Sequence, residues 1–408
     1  MAQTRATAVI GAGWGDEGKG HVVDALVARG SEPAVVVRFN GGAQAGHTVV
    51  TDDGRRHVFH HLGAGAFAGA RTHLSQFFVH HPMLLQAECD ALCALGGSVA
   101  LSADPRGAVT TPWDMLINQT VERVRGAGRH GSCGLGFGET IERNANAAFA
   151  LTVADLTHLD LPSRLRALRQ TWVPQRLAAL GITDLTPAEA EILANDDVEA
   201  VFLEDCRAFA NTVGVAEDGG LGAQGRLVFE GAQGLQLDQA IGVFPHVTRS
   251  HTGLVNVLTI AREAGLDDLE AVYVTRAYAT RHGAGPLPGG QDTLDDFDIV
   301  DPTNRPNAWQ GCMRYAVLDL DRLAAAIATD SRIIDPGPVQ VRPSLLVTCV
   351  DQVRDLAPVK DRGATLRLAP DVLAGEVGSR LGMRLLGESW GPERSRVYLS
   401  DAAARAAA

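Results

Sequence analysis

Two lysines occur in this chain of 408 residues, and one of them, Lys19, stands in the turn Gly13-Trp14-Gly15-Asp16-Glu17-Gly18-Lys19-Gly20. Arginine supplies almost all other positive charge, so a lysine here marks a position that needs a compact ammonium rather than a planar guanidinium. The turn follows an apolar run at 6–10 and precedes a helical pattern at 21–29. A strand, a glycine turn and a helix together present backbone N–H groups to phosphate. Gly13-x4-Gly18-Lys19 fits a phosphate-binding loop, with Gly20 where Ser or Thr would hold magnesium. The same residues spell the dinucleotide fingerprint Gly13-x-Gly15-x-x-Gly18, which wants an acidic residue about 20 positions further on. The next apolar run, 34–37, ends instead in Arg38-Phe39-Asn40, and an arginine there suits a phosphorylated dinucleotide. Asp16 separates the readings. A carboxylate inside an anion-binding turn opposes phosphate unless it holds a metal or abstracts a proton. Phosphate with magnesium is therefore the leading reading. An NADP-dependent dehydrogenase and a purely structural glycine turn stand beside it.

The elements that must position this turn repeat its pattern. The run 34–37 leads into Gly41-Gly42-Ala43-Gln44-Ala45-Gly46-His47-Thr48, and 227–229 leads into Glu230-Gly231-Ala232-Gln233-Gly234. The run 271–274 leads towards Thr280-Arg281-His282-Gly283-Ala284-Gly285-Pro286, and 345–347 into Thr348-Cys349-Val350-Asp351. Ligands bind at the carboxyl ends of strands in an open parallel sheet, so these clusters are expected to meet in one crevice. The expected fold is α/β: a large, mostly parallel central sheet with flanking helices, in a single domain over 1–408. A helical insertion is expected at about 155–215, with a capping box at Thr186-Pro187-Ala188-Glu189. A flap loop is expected at about 287–314, in a stretch rich in Pro, Gly, Asp and Asn.

A net charge of −12 argues against wholesale binding of nucleic acid or anionic membrane, so any phosphate site must be local. No apolar stretch is long enough to cross a membrane, and few residues precede the first run. The six cysteines form no C-x-x-C pair; Cys89 and Cys93 share a helical segment and are expected to pack rather than bind metal. A reduced, cytoplasmic protein is the expectation.

Taken together, the clusters resemble the adenylosuccinate synthetase family, which joins aspartate to the 6-position of inosine monophosphate (IMP) with GTP and magnesium. The matching segments are Trp14 to Gly20, Gly41-Gly42 with Ala45-Gly46-His47-Thr48, and Phe229-Glu230-Gly231-Ala232-Gln233-Gly234 with Leu237-Asp238 and Pro245-x-Val247-Thr248. Thr280-Arg281-x-Gly283-Ala284-Gly285-Pro286 and Ser389-x-Gly391-Pro392-x-Arg394 complete the set. The resemblance implies that Asp16 is the base and a magnesium ligand, and that the Gly46 carbonyl is a second ligand. It implies that His47 stabilises the transferring phosphoryl group and that Lys19, with the loop amides, holds charged oxygens. Trp14, Gly15, Glu17, Gly18, Gly20, Gly46, Thr48, Asp351, Ser389 and Gly391 fall at its triphosphate positions. Gln44, Ser132, Cys133, Gln233, Thr248, Arg305 and Arg314 fall at or beside its substrate positions. A homodimer is implied as well.

The departures concern substrates. Gln44 replaces an asparagine, and Cys133 replaces a threonine that binds the nucleotide phosphate, with Arg143 a candidate substitute for a missing arginine. The family's Thr-Thr-Gly-Arg-Arg-Arg-Arg flap over aspartate is here Pro306-Asn307-Ala308-Trp309-Gln310-Gly311-Cys312-Met313-Arg314. Its guanine-reading Thr-Lys-x-Asp is here Thr348-Cys349-Val350-Asp351, which leaves ATP as an alternative to GTP. A paralogue that runs the same activation chemistry on another oxo-heterocycle or amine is the second expectation.

Overall fold

The computed structural model describes residues 5–291, 293–304 and 311–400. The five apolar runs form five strands: Arg5–Gly11, Ala34–Arg38, Arg226–Glu230, Asp268–Arg276 and Gln340–Thr348. They lie side by side and parallel at the centre of a ten-stranded sheet, in the order 340–348, 268–276, 5–11, 226–230, 34–38. Only the edge strand Val397–Leu399 runs antiparallel to its neighbour. Residues facing each other across the ladders include Val9 with Glu230, Arg38 with Glu230, and Thr348 with Arg276. The carboxyl ends of all five strands therefore lie level, which is the crevice the repeated clusters predict.

Near-continuous apolar runs rather than alternating ones are what a sheet covered on both faces requires. Val9, Val36, Val228, Val272 and Leu346 enter one core, and their sequence neighbours Ile10, Val37, Phe229, Tyr273 and Leu345 enter the other. The first core is closed by the helices Lys19–Arg29, Pro82–Ala94, Pro112–Arg125 and Asp196–Thr212, and the second by Leu254–Glu263, Leu320–Ile333 and Pro370–Leu381. This is a three-layer α/β fold. Helical turns fill most of 161–212, and the box at Thr186 forms, its hydroxyl accepting from the Glu189 N–H. Between Arg281 and Arg314 the described residues form no helix or ladder. Cys89 is packed in the first core, whereas Cys93 is exposed. No helix among the described residues is long and apolar enough to cross a membrane.

Candidate functional site

The opening turn needs unusual backbone. Gly15, Asp16 and Gly18 all have left-handed φ, at +97°, +61° and +85°. Glycine adopts this region without cost, and aspartate is among the few other residues that tolerate it. Other loops hold the turn in place: Thr280 Oγ1 donates to the Gly15 carbonyl at 3.1 Å, and Thr348 Oγ1 to the Glu17 carbonyl at 2.7 Å. Asn40 exchanges two hydrogen bonds with the Ala232 backbone, at 2.8 and 3.0 Å, which ties the second loop to the third. Every cluster singled out in the sequence thus meets around one turn.

Glu17 is placed differently from the expectation. Its carboxylate turns inward, accepts the Gly13 and Gly15 N–H groups at 3.1 and 2.7 Å, and receives Lys19 Nζ at 2.6 Å. Glu17 and Lys19 are both buried. Glu17 thus engages those two amides and one of the three ammonium donors, leaving the rest of Lys19 and the helix N-terminus beginning at Lys19 and Gly20 for an external phosphate. Asp16 is half-buried. Desolvation raises its pKa, opposed by the charges of Arg276, His282 and Lys19. Arg276 reaches this turn from the end of its strand, donating to the Asp16 carbonyl, to Tyr278 Oη at 3.0 Å and to Asp301 Oδ2 at 3.3 Å.

His47 opens the short strand His47–Val50 and is packed against the first helix, where a Cβ on Gly20 would fall 2.7 Å from its own Cβ. Only glycine fits there. Its Nδ1 meets Glu230 Oε1, while Glu230 Oε2 accepts the Ala64 N–H at 3.0 Å. Burial pulls the His47 pKa down to about 4 against the attraction of Glu230. A neutral imidazole donating through Nδ1–H presents an unprotonated Nε2. Glu230 was not among the expected site residues, although a carboxylate ending the apolar run 227–229 was the available signal.

The other expected residues divide. Ser389 is buried, 3.0 Å from His21 Nε2 on the first helix, and its loop meets Asp351, whose carboxyl group is pushed up by burial and by Glu393 and down by Arg396. Gly391 has φ +156°. Thr48 Oγ1 lies 3.2 Å from Thr303 Oγ1, at the start of the flap. Trp14 is buried beneath the Arg281 guanidinium, 5.9 Å from its ring centre. A Cβ on Gly46 would touch Val58 at 3.0 Å. Gln44 Nε2, Gln233 Oε1 and Thr248 Oγ1 are buried without a hydrogen-bond partner among the described residues. Ser132 accepts from Asn118 Nδ2 at 2.8 Å, and the Cys133 thiol is raised by burial. The amides of His130, Gly131 and Ser132 point at the Glu122 carboxylate, at 2.9 to 3.4 Å, so this loop too carries an internal anion.

Three of the arginines singled out in the sequence make contacts within the protein. Arg143 is fully buried and bonded to Asp114 and to the Val109 and Phe149 carbonyls, which commits most of its donors inside the protein. Arg314 donates to the Gly283 and Gly285 carbonyls, at 2.8 and 2.9 Å; it builds a loop rather than projecting from the flap. Arg38 is fully buried over the Phe78 ring and donates to the Leu62 carbonyl, which removes the cation a phosphorylated dinucleotide would need. Arg305 lies outside the described residues.

A parallel sheet whose carboxyl edge carries a glycine turn, a half-buried aspartate and a carboxylate-held histidine defines an α/β nucleotide-binding protein with acid–base groups in its crevice. The adenylosuccinate synthetase profile matches residues 8–301. The adenylosuccinate synthetase of Anaeromyxobacter dehalogenans (strain 2CP-1 / ATCC BAA-258) is 34% identical over 96% of this chain and 98% of its own length. That of Myxococcus xanthus (strain DK1622) is 33% identical over 69% of this chain, and the match spans 64% of that relative's length. The chain belongs to the adenylosuccinate synthetase family. Its fold matches that of the fully ligated Plasmodium falciparum adenylosuccinate synthetase, with TM-score 0.69 and 17% identity, over 97% of this chain and 100% of the other. It also matches the cyanophage S-2L succinoaminodeoxyadenylate synthetase bound to dGMP and dATP as an energy donor, with TM-score 0.61 and 17% identity, over 99% and 98% of the two chains.

Proposed function

We propose that this protein is a nucleotide-dependent C–N ligase that phosphorylates the 6-oxo group of a purine nucleotide and lets an amine displace the phosphate. IMP, GTP and aspartate are the first substrates to test. The observation that carries the reading is the pairing of functions in one crevice: a half-buried carboxylate at Asp16 and a histidine at 47 held by Glu230. In the proposed chemistry Asp16 takes the proton from ring N1 as O6 attacks the γ-phosphorus, and the nucleoside diphosphate leaves. With a proton taken up on Nε2 as the triphosphate binds, and Glu230 as its counter-charge, His47 acts as the general acid that stabilises charge on the transferring group. The amine nitrogen then bonds to C6, the C6–O bond breaks, and inorganic phosphate departs. Positioning and charge neutralisation dominate such transfers.

Magnesium fits this donor set. It is ordinarily held by one or two carboxylates, with water and substrate phosphates filling the remaining positions. Asp16 is a half-buried carboxylate of that kind, and no cluster of three acidic, histidine or cysteine side chains among the described residues would hold a metal by itself. Asp16 and the Gly46 carbonyl would hold the ion, which supplies charge neutralisation for the triphosphate.

The second reading, a paralogue with changed substrates, is favoured by Cys349, which sits beside buried Arg276 where the family has a lysine. The cyanophage fold relative, bound to dGMP and dATP, shows which components to vary. The deciding experiment measures phosphate release with magnesium, GTP or ATP, IMP and aspartate, omitting each in turn. Release that needs every component, with the purine absorbance changing, establishes the first reading. No release with either triphosphate sinks it, and success with another purine or amine establishes the second.

A further inference from the structure

His282 is the residue left unassigned in Thr280-Arg281-x-Gly283. Both of its ring nitrogens are buried, and neither has a hydrogen-bond partner among the described residues. It lies close enough to Asp16 to act on that carboxylate electrostatically. The cations around it are committed elsewhere: Arg281 donates to the Ala284, Pro286 and His246 carbonyls, Arg314 to those of Gly283 and Gly285, and Arg276 to Asp16, Tyr278 and Asp301. A buried imidazole without a partner costs free energy unless something satisfies it.

The neighbours say which ligand that would be. A Cβ on Gly131 would fall 3.1 Å from Gly283 Cα, and a Cβ on Gly285 2.6 Å from His246 Cβ. The loop of His282 is thus walled by 131–133 on one side and by 246–248 on the other. Those walls carry further unpartnered buried atoms, His246 Nδ1 and Thr248 Oγ1, and Gln233 Oε1 from the adjoining turn joins them. The triphosphate candidates Ser389 and Asp351 come together elsewhere, on the loops against His21 and Arg396. We infer that His282 is a specificity-determining residue that hydrogen-bonds a polar edge of the purine nucleotide, its base or its ribose, beside Asp16. This rests on the proposed function.

The test is direct binding by calorimetry, on the full chain without an amine, of IMP, deoxy-IMP, GMP and xanthosine monophosphate, with GTP in a separate titration. His282→Val is expected to weaken the preferred purine monophosphate by about tenfold or more, since a buried partner is then lost. His282→Gln, which keeps a donor and an acceptor, should recover most of that loss, and GTP affinity should stay within about twofold as the check on folding. The base series locates a base contact and the deoxy-nucleotide a ribose contact. Unchanged monophosphate binding by His282→Val overturns the inference while leaving the proposed function standing, and equal weakening of GTP shows a structural role and also overturns it. A wild-type protein that binds none of the four monophosphates overturns both.

Discussion

The two halves of the crevice differ in how their polar groups are satisfied. Around the opening turn the acid–base groups are held by the protein, Glu17 by Lys19 and two amides and His47 by Glu230, although Arg38 Nε and Nη2 beside them have no partner among the described residues. Around 233, 248 and 282 the polar atoms are buried and waiting. Groups that must act in one geometry are held by the protein itself, whereas groups that must recognise are left for the substrate to complete. The departures fall on both sides: Cys133 lies in the loop walling His282, whereas Cys349 follows Thr348, which holds the opening turn.

The largest effect expected from breaking the paired half is at Asp16. Asp16→Asn should reduce turnover by roughly 10²–10⁴, the range a positioned general base supplies. It should not lower stability. Burial disfavours the charged carboxylate, so the neutral amide removes a folding penalty rather than a favourable contact. Turnover and the urea midpoint measured on the same sample decide the matter, and activity surviving in Asp16→Asn would remove this residue from the mechanism.

How much of this was legible follows the same division. The five strands could be read because each apolar run ends in a glycine-rich cluster, and near-neighbour spacing encodes both. The crevice followed from their repetition. What could not be read are pairings between distant residues. Glu17 has the right type and position for a ligand contact, yet its carboxylate folds back onto its own turn. Arg143 is in the correct segment, but Asp114 takes it, 29 positions away. Glu230 was on the page within a matched motif, and only the fold shows that its partner is His47, 183 positions earlier. Arginine contacts are hard to read from sequence because a guanidinium has five donors and satisfies them wherever carbonyls or carboxylates lie within reach.

A sharper test separates the two partners of that buried pair. Burial alone would raise the Glu230 pKa, but His47 and the Arg38 guanidinium beside it hold it down. Glu230→Gln should slow turnover by about 10- to 10²-fold by loosening the His47 tautomer, less than loss of the base itself. It should also cost about 3–5 kcal/mol of stability, because Arg38 is left buried without a counter-charge. His47→Gln should match the rate loss without the stability loss. In the double variant the rate effects should not multiply, since both substitutions remove one unit. Fully multiplicative losses would mean that Glu230 and His47 act separately.

The smallest effect on activity is expected away from the crevice, and it shows what an unpartnered histidine does when no ligand can reach it. His80, like His282, has two buried ring nitrogens without partners, but it packs between Phe78 and Phe209, at ring-centre distances of 5.4 and 5.6 Å. Burial holds its pKa down at about 3, against which the only attraction is that of Asp104, and His61 and His73 add repulsion. The unfolded chain therefore binds a proton below about pH 6.5 that the folded protein refuses. Stability from this group is complete above that pH and is lost as pH falls towards 3, at up to about 1.4 kcal/mol per pH unit. His80→Gln, neutral throughout, should flatten the fall in urea-unfolding free energy between pH 6.5 and 5 by about that slope, with turnover at neutral pH nearly unchanged. An unaltered slope in the variant would show that His80 takes up its proton in the folded state, and the contrast between a histidine left open for a ligand and one closed in a core would then fail.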